Sequence, residues 1–314
     1  MLLSALASCS SGLEPVQEEP TPSVTTKKPI QKKTEEETAE EPIMQDYDPA
    51  EDDVINVLMI GNSFCFYYVE ELYGIAKAAG VNMKVCNVYY SGCKLSQHWN
   101  WWKKGESNYQ YIVTDESGRN KYKNYSLKRC LEQENWDVIS FQQSSAMVRT
   151  TIEDAKANSY KYLTDLLNYT KEQFPQSKFY WHHTWAYQVG YDRSGFVVDT
   201  KEKQTAMANL LHEFAIGLCQ DYSLTRIPSG DAWQYARQNP KAGDVLCNRG
   251  DQSDNYHDGD EGGGQYLNAC VWFETLTGKS CIGNTWRPST YKLSEAKISA
   301  LQQAAHRAVE ESRG

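Results

Sequence analysis

Three residues of this 314-residue sequence have the types needed for nucleophilic catalysis: Ser63, Asp254 and His257. Ser63 lies between the end of an apolar run and a helix start, where backbone amides and the helix dipole favour developing negative charge. Serine is a weak nucleophile without a base. Asp254 lies three residues before His257, so its carboxylate can fix the imidazole tautomer and leave Nε2 to accept the Ser63 proton. The alternative is that Ser63 only caps a helix and His257 is a surface group.

Other reactive groups do not form a recognisable site. Cys65 lies two residues past Ser63, where we expect a buried and inert thiol. The acidic loop 258–263 lacks the ligand positions of an EF-hand, and no C-x-x-C pair or cysteine–histidine zinc spacing occurs, so we expect no metal and no cofactor. The sequence has nine cysteines. Without Cys9 an even number, eight, remains, so some of them can form disulfides in an oxidising compartment.

Short apolar runs alternate with helical patterns from residue 54 onward. This alternation predicts one α/β domain over 54–314, with a mostly parallel sheet flanked by helices. Ligands bind at the carboxyl ends of the strands in such sheets, so residues just after each strand are the candidate site. The predicted strands are 54–60, 83–89, 136–141, 178–181 and 224–227. The predicted helices are 67–79, 152–174, 201–220, 266–276 and 293–311.

Four motifs in this order resemble those of the SGNH (GDSL-like) hydrolase superfamily. They are Gly61-Asn62-Ser63-Phe64 after the first strand, Ser91-Gly92-Cys93-Lys94-Leu95 after the second, Gln142-Gln143-Ser144 after the third, and Asp254-Asn255-Tyr256-His257. The sequence is similar to a bacterial branch that also carries a segment like His182–Tyr187, and the match runs from about 54 to 285. The resemblance implies a three-layer, flavodoxin-like fold.

The same resemblance implies roles for single residues. Ser63 would be the nucleophile, His257 the base and acid, and Asp254 its orienting carboxylate. The oxyanion hole would combine the amides of Ser63 and Gly92 with a side-chain amide from the third motif. The family has an asparagine there, whereas this sequence has two glutamines. We favour Gln143, with Gln142 as the alternative, and expect Asn62 to support the turn.

Four aromatic or imidazole side chains are candidates for contact with substrate: His98, Trp99, His183 and Trp185. His182 and His183 are adjacent, so at most one of them faces the site. Tryptophan suits stacking on sugar rings, and Trp101 and Trp102 are expected near the same strand ends. All of these residues are equally compatible with an ordinary core.

The N-terminal segment predicts an anchor and a spacer. Leu6-Ala7-Ser8-Cys9 resembles a bacterial lipobox, in which Cys9 would be diacylated and would hold the protein at the cell envelope. Residues 10–53 carry six of the ten prolines and an acidic excess, which predicts a disordered tether. The remaining body has 28 acidic and 28 basic residues, so we expect no nucleic-acid partner and membrane contact only through the lipid.

These observations predict a surface-anchored serine esterase that removes acyl groups, such as acetyl, from a small-molecule or glycan ester. Two alternatives stay open. One is a glycan-binding lipoprotein that keeps the cleft but has no turnover, and the other is an acyltransferase that uses the same triad.

Overall fold

The apolar run that follows residue 54 forms the central strand of the sheet. The computed structural model describes residues 54–193, 196–242 and 263–313. In these residues the strands are β1 (Ile55–Gly61), β2 (Met83–Tyr89), β3 (Tyr109–Asp115), β4 (Gly118–Tyr125), β5 (Val138–Gln142), β6 (Lys178–His182), β7 (Tyr191–Arg193), β8 (Phe196–Val198) and β9 (Thr225–Ile227). β1 is buried almost throughout, as its near-continuous apolar sequence requires of a strand covered on both faces.

Seven strands form one mostly parallel sheet in the order β4-β3-β2-β1-β5-β6-β9, and β7 and β8 form a separate antiparallel pair. β1 pairs in parallel with β2 and β5, and the parallel set continues through β6 to β9. Antiparallel β3 and β4 extend the β2 edge. The parallel register brings the carboxyl ends of β1, β2, β5 and β6 to one edge of the sheet.

Eight α-helices occur in the described residues. They are α1 (Val69–Ala78), α2 (Leu95–Lys104), α3 (Leu127–Leu131), α4 (Ile152–Gln173), α5 (Lys201–Tyr222), α6 (Ser229–Gln238), α7 (Gly264–Thr277) and α8 (Glu295–Arg313). One group of mutually packed helices comprises α1, α6, α7 and α8, and a second comprises α2, α4 and α5. The sheet lies between them, which confirms the predicted three-layer α/β fold.

Helix α7 is the central helix of its layer and fixes where the chain returns to the strand ends. Its residues are buried nearly all round, which a helix enclosed by α1, α6 and α8 requires. Near its carboxyl end, Leu276 lines a small cavity with Ile55 and Val138, the first residues of β1 and β5. Trp272 lies one turn earlier, with its ring centroid 5.2 Å from that of His182 at the end of β6. α7 therefore runs antiparallel to the parallel strands of the sheet and begins at their carboxyl edge.

Some predictions fall outside the described residues: the lipidation site Cys9, the tether 10–53, and the triad members Asp254 and His257. The seven cysteines that the structure describes are all free, so no disulfide forms among them. No described helix combines the length and the apolar character needed to cross a membrane.

Candidate active site

In the turn after β1, the Ser63 hydroxyl forms no hydrogen bond with any described residue. Ser63 opens one turn of 3-10 helix, Ser63–Cys65, and the cap of that turn is Asn62, whose Oδ1 accepts the Phe64 amide at 3.0 Å. The predicted alternative, in which Ser63 is the cap, is therefore wrong. Cys65 is buried as expected, and its thiol donates to the Asn62 carbonyl at 3.2 Å.

Asn62 also ties the turn after β1 to the loop after β2. Its Nδ2 donates to the Cys93 carbonyl at 2.8 Å, across 31 residues of sequence. Gly92 precedes Cys93 and has a φ of +66°, in the left-handed region that favours glycine. The bond from Asn62 to the Cys93 carbonyl confirms that Asn62 supports the turn. It also keeps Ser63 and Gly92 on neighbouring loops at one edge of the sheet.

Gln142, at the end of β5, crosses toward the same turn. Its Nε2 donates to Asn62 Oδ1 at 2.6 Å, and its Oε1 lies 3.3 Å from His182 Nδ1. The crossing depends on Gly61, because a Cβ there would lie 2.7 Å from the Gln142 carboxamide carbon. His182 Nε2 in turn lies 3.1 Å from Ser229 Oγ, on the first residue of α6. We call Asn62, Gln142, His182 and Ser229 the polar chain.

Gln143 faces the opposite side of β5. Its amide nitrogen donates to the Asn158 carbonyl at 3.2 Å and to Ser159 Oγ at 3.3 Å, both on α4. Its oxygen accepts from the Leu95 and Ser144 amides. Both N–H groups of this carboxamide are thus committed to α4, which corrects our preference for Gln143 as the oxyanion donor. Gln142 is the glutamine beside the Ser63 turn.

Two of the predicted substrate contacts, His98 and Trp185, are core side chains. His98 is 1% exposed, stacks on Tyr109 and lies 3.0 Å from its hydroxyl through Nδ1. Burial lowers the pKa of His98 to about 3, so the ring is a neutral core group. Trp185 is fully buried and stacks on Trp233 at 4.3 Å. Trp99 is half-buried and donates from its indole to Asp165 on α4.

His183, the fourth predicted contact, turns away from the polar chain and joins a group with Arg226, Asp231 and His212. Its Nδ1 lies 3.9 Å from Asp231 Oδ2 and 3.3 Å from Arg226 Nη1. Arg226 and His212 both pair with the Asp231 carboxylate. We call these four residues the charged cluster. The place of His183 in this cluster corrects the prediction that it contacts substrate.

Burial sets the protonation of both adjacent histidines. It lowers the pKa of His182 to about 3 and that of His183 to about 4; the attraction of Asp231 offsets part of the shift at His183. For Asp231, burial alone would raise the pKa. The attraction of His183, the hydrogen bond from His212 and the attraction of Arg226 instead hold it below its usual range.

The charged cluster contains a set of potential metal ligands. Atoms of His183, His212 and Asp231 lie within 4.8 Å of one another. Arg226 already supplies a cation at this point, since its Nη1 contacts Asp231 and lies within hydrogen-bonding distance of His183. A metal ion would have to displace the guanidinium, so the geometry favours an ion-paired cluster over a metal centre.

The fold and the site together define an α/β protein with a serine and a carboxamide network at the carboxyl edge of its sheet. The family profile described as "Domain of unknown function (DUF4886)" matches residues 56–308. The chain belongs to this family. A solved DUF4886 family protein from Bacteroides uniformis ATCC 8492 is 30% identical, with a TM-score of 0.73, over 82% of this chain and 95% of that chain.

More distant solved structures are also similar. A protein described as a GDSL-like lipase from Parabacteroides merdae ATCC 43184 is 17% identical over 72% of this chain and 96% of its own, with a TM-score of 0.47. An acetyl xylan esterase is 13% identical over 71% of this chain and all of its own, with a TM-score of 0.45. Among curated proteins, none matches this sequence significantly.

Proposed function

We propose that the chain is a serine ester hydrolase in which Ser63 is the nucleophile, His257 the general base and Asp254 its orienting carboxylate. The observation that carries this proposal is the turn after β1. Asn62 takes over the capping role and binds the neighbouring loop, so the Ser63 hydroxyl stands at the carboxyl end of the central strand and is not hydrogen-bonded within the part of the chain that the structure describes. This is the position where parallel α/β sheets bind their ligands.

The start of α7 supports a contribution from His257. Gly263 immediately precedes α7, at the carboxyl edge of the sheet. His257 and Gly263 are six positions apart in the sequence, and six residues span at most about 20 Å. We therefore propose that His257 reaches the edge of the sheet that carries Ser63.

The proposed reaction proceeds in two balanced steps. Ser63 Oγ attacks the ester carbonyl carbon while its proton passes to His257 Nε2, and the collapsing tetrahedral intermediate expels the alcohol, which takes up that proton. Water then attacks the acyl-enzyme and gives a proton to His257. The acid leaves, and the proton returns to Ser63. Asp254 holds the imidazole tautomer and stabilises the transient imidazolium.

Three donors are proposed for the oxyanion: the amides of Ser63 and Gly92 and the side chain of Gln142. Among the described residues, Gln142 Nε2 donates only to Asn62, and we assign its second N–H to a substrate oxygen. Donors fixed before the reaction are effective because they need no reorganisation as charge develops, and loss of one typically costs about 10²–10³ in rate.

The decisive experiment is hydrolysis of p-nitrophenyl acetate by the full chain. We expect Ser63→Ala and His257→Ala to abolish turnover. Ser96→Ala, a change of the same type on α2, should retain it. A fluorophosphonate probe followed by peptide mass analysis should label Ser63 in the parent protein and leave Ser63→Ala unlabelled.

Other outcomes would favour the alternatives. Wild-type turnover in Ser63→Ala would refute the nucleophile. No turnover in the parent, together with glycan binding that Ser63→Ala leaves intact, would favour a binding protein. Acyl transfer that depends on an added sugar acceptor would favour an acyltransferase.

For the substrate we propose an acylated carbohydrate. Of the tryptophans considered from the sequence, Trp185 is buried, whereas Trp101 is half-buried and pairs with a tyrosine close to Gly92 in sequence. Tyr90, directly after β2, is 41% exposed, and its ring lies 4.8 Å from that of the half-buried Trp101. The two rings meet edge to face, and the exposed Tyr90 ring near the proposed oxyanion hole suits stacking on a sugar ring.

This surface can be tested separately from the chemistry. Tyr90→Ala should raise KM for an acetylated xylo-oligosaccharide about tenfold and leave kinetics on p-nitrophenyl acetate unchanged. Tyr122→Ala, which removes an exposed tyrosine on β4, is the matched control. An equal effect of Tyr90→Ala on both substrates would remove the support for a carbohydrate.

We further propose that Cys9 anchors the protein to the bacterial cell envelope and that residues 10–53 act as a spacer. Two acyl chains suffice for stable anchoring, whereas one holds only marginally. Cys9→Ala should move the protein from the detergent phase to the aqueous phase in Triton X-114 partitioning. Unchanged partitioning would contradict the anchor.

A further inference from the structure

The hydrogen bonds of the polar chain, next to the Ser63 turn, are all donated in one direction, and backbone groups fix that direction. At one end, the Phe64 amide can only donate and the Cys93 carbonyl can only accept. Asn62 meets both of these groups, so its oxygen must face Phe64 and its nitrogen must face Cys93. The carboxamide orientation of Asn62 is thereby fixed.

The direction then propagates to His182. Because Asn62 Oδ1 accepts, the Gln142 atom that meets it must be the donor Nε2, and Gln142 Oε1 must face His182. An oxygen acceptor there requires the proton of the neutral imidazole on Nδ1. His182 Nε2 is then an acceptor, and the Ser229 hydroxyl donates to it.

The polar chain therefore runs from Ser229 through His182, Gln142 and Asn62 to the Cys93 carbonyl. Each member donates its hydrogen bond to the next one along. Its members come from α6 and from the ends of β6, β5 and β1, and it ends on the loop after β2. His182, Gln142, Asn62 and Ser229 are all buried. Bonds aligned in this way polarise one another, and they are stronger in a low-dielectric interior than in water.

We propose that His182 is a positioning residue of the active site: its Nδ1–H holds the oxygen of Gln142, so that the second Nε2–H of that carboxamide is presented to the substrate oxygen above Ser63. This inference rests on the proposed ester hydrolysis and deepens it. The Nδ1–H tautomer orients a donor, and a change at His182 acts on catalysis through Gln142.

A pair of isosteric substitutions separates this role from mere packing. In His182→Asn, the amide nitrogen falls near the position of Nδ1 and can still donate to Gln142. In His182→Gln, the amide falls near the position of Nε2, and the donor to Gln142 is lost. Both variants are neutral, polar and close in volume, so both should fold with similar thermal midpoints.

On p-nitrophenyl acetate we expect His182→Gln to lose about 100-fold in kcat with unchanged KM, as for an oxyanion donor. His182→Asn should stay within about tenfold of the parent. Gln142→Leu should lose as much as His182→Gln, and the double variant should lose no more than either, because both act through one donor.

The outcomes separate this proposal from the hydrolase proposal. If Ser63→Ala is inactive and folded His182→Gln keeps the parent kcat, the positioning role fails and the hydrolase stands. If Ser63→Ala keeps turnover, both proposals fail. Should His182→Gln not fold, ¹⁵N NMR of the parent imidazoles decides: a His182 resonance protonated at Nδ1 supports the directed chain, and one protonated at Nε2 overturns it.

Discussion

His182 and His183 are adjacent in sequence and are both 1% exposed, but they belong to different kinds of structure. His182 joins the polar chain, whose members are uncharged and linked by directed hydrogen bonds. His183 joins the charged cluster, where Arg226 and Asp231 form a nearly buried ion pair. Two neighbouring residues at the end of one strand thus point to opposite sides of it.

The difference teaches how each kind of network can serve the protein. An uncharged chain fixes the orientation of a donor without adding a field that would compete with an oxyanion. An ion pair holds elements together, here β9 to the first turn of α6, and needs no contact with the site. We therefore expect changes in the charged cluster to alter stability and changes in the polar chain to alter kcat.

The largest expected effect is on stability, from Asp231→Asn. This change leaves the Arg226 guanidinium nearly buried without its counter-charge, and loss of one partner of such a pair costs about 3–5 kcal/mol. The free energy of unfolding in urea should fall by about that amount, while kcat of the folded protein stays at the parent value. Asp199→Asn, which removes an exposed partner of Lys203, is the control and should leave the unfolding midpoint unchanged. A loss of kcat in folded Asp231→Asn would contradict the separation of the two networks.

The next effect is a pH dependence of stability that both histidines should share. The pKa of each is about 6.5 in an unfolded chain but about 3 for His182 and about 4 for His183 in the folded protein. Between about pH 6.5 and 4 only the unfolded chain binds these protons. Stability should therefore fall with falling pH, by about 1.4 kcal/mol per pH unit for each histidine.

Unfolding free energies measured from pH 4 to 7 check this prediction. His182→Asn and His183→Asn should each reduce the slope of unfolding free energy against pH by about 1.4 kcal/mol per pH unit. If His183→Asn leaves the slope unchanged, Asp231 holds that ring protonated, and the two histidines differ in charge as well as in partners.

A smaller effect is expected from Ser229→Ala, at the far end of the polar chain. The variant removes the hydroxyl that donates to His182 Nε2, and a buried hydrogen bond of this kind contributes about 1 kcal/mol. The loss of kcat should be smaller than in His182→Gln, because the bond from Nδ1 to Gln142 remains. A larger loss would place the main control of the tautomer at Ser229.

The smallest effect is expected from His212→Ala. The His212 side chain is about half exposed, and pairs at such positions contribute less than about 1 kcal/mol. Unfolding free energy should change by less than that, and kcat should not change. A loss comparable to that of Asp231→Asn would show that His212 belongs to the energetic centre of the charged cluster.

The elements that the sequence predicted are those with strong apolar patterns. The runs that became β1, β2, β5 and β6 were found because a strand buried on both faces must be apolar nearly throughout. The hairpin of β3 and β4 was missed; β4 (Gly118–Tyr125) is polar and largely exposed and carries no apolar signal, whereas β3 (Tyr109–Asp115) is mostly buried and does carry one. Exposed edge strands are defined by their pairing, which is a tertiary contact.

The site was predicted as far as local turns allow. Ser63 and Gly92 follow apolar strands at turns, and this placement was readable from residue types alone. The choice between Gln142 and Gln143 was not, because β5 is buried at every position and no polar alternation marks its faces. The same difficulty applied to His182 and His183. His98 and Trp185 were offered as substrate contacts, but polar and aromatic side chains after a strand enter the core whenever they find partners there.

The sequence by itself determined the α/β architecture, the strand ends that carry polar residues, and the serine on the first turn, because apolar periodicity and turn chemistry are local properties of the chain. Only the tertiary structure decided which face each polar residue takes, and thus that Gln142 and His182 lie beneath Ser63 while Gln143 and His183 do not. The physical reason is that hydrogen-bond partners supplied by distant strands and helices, such as Asn62 and Ser229, set those orientations.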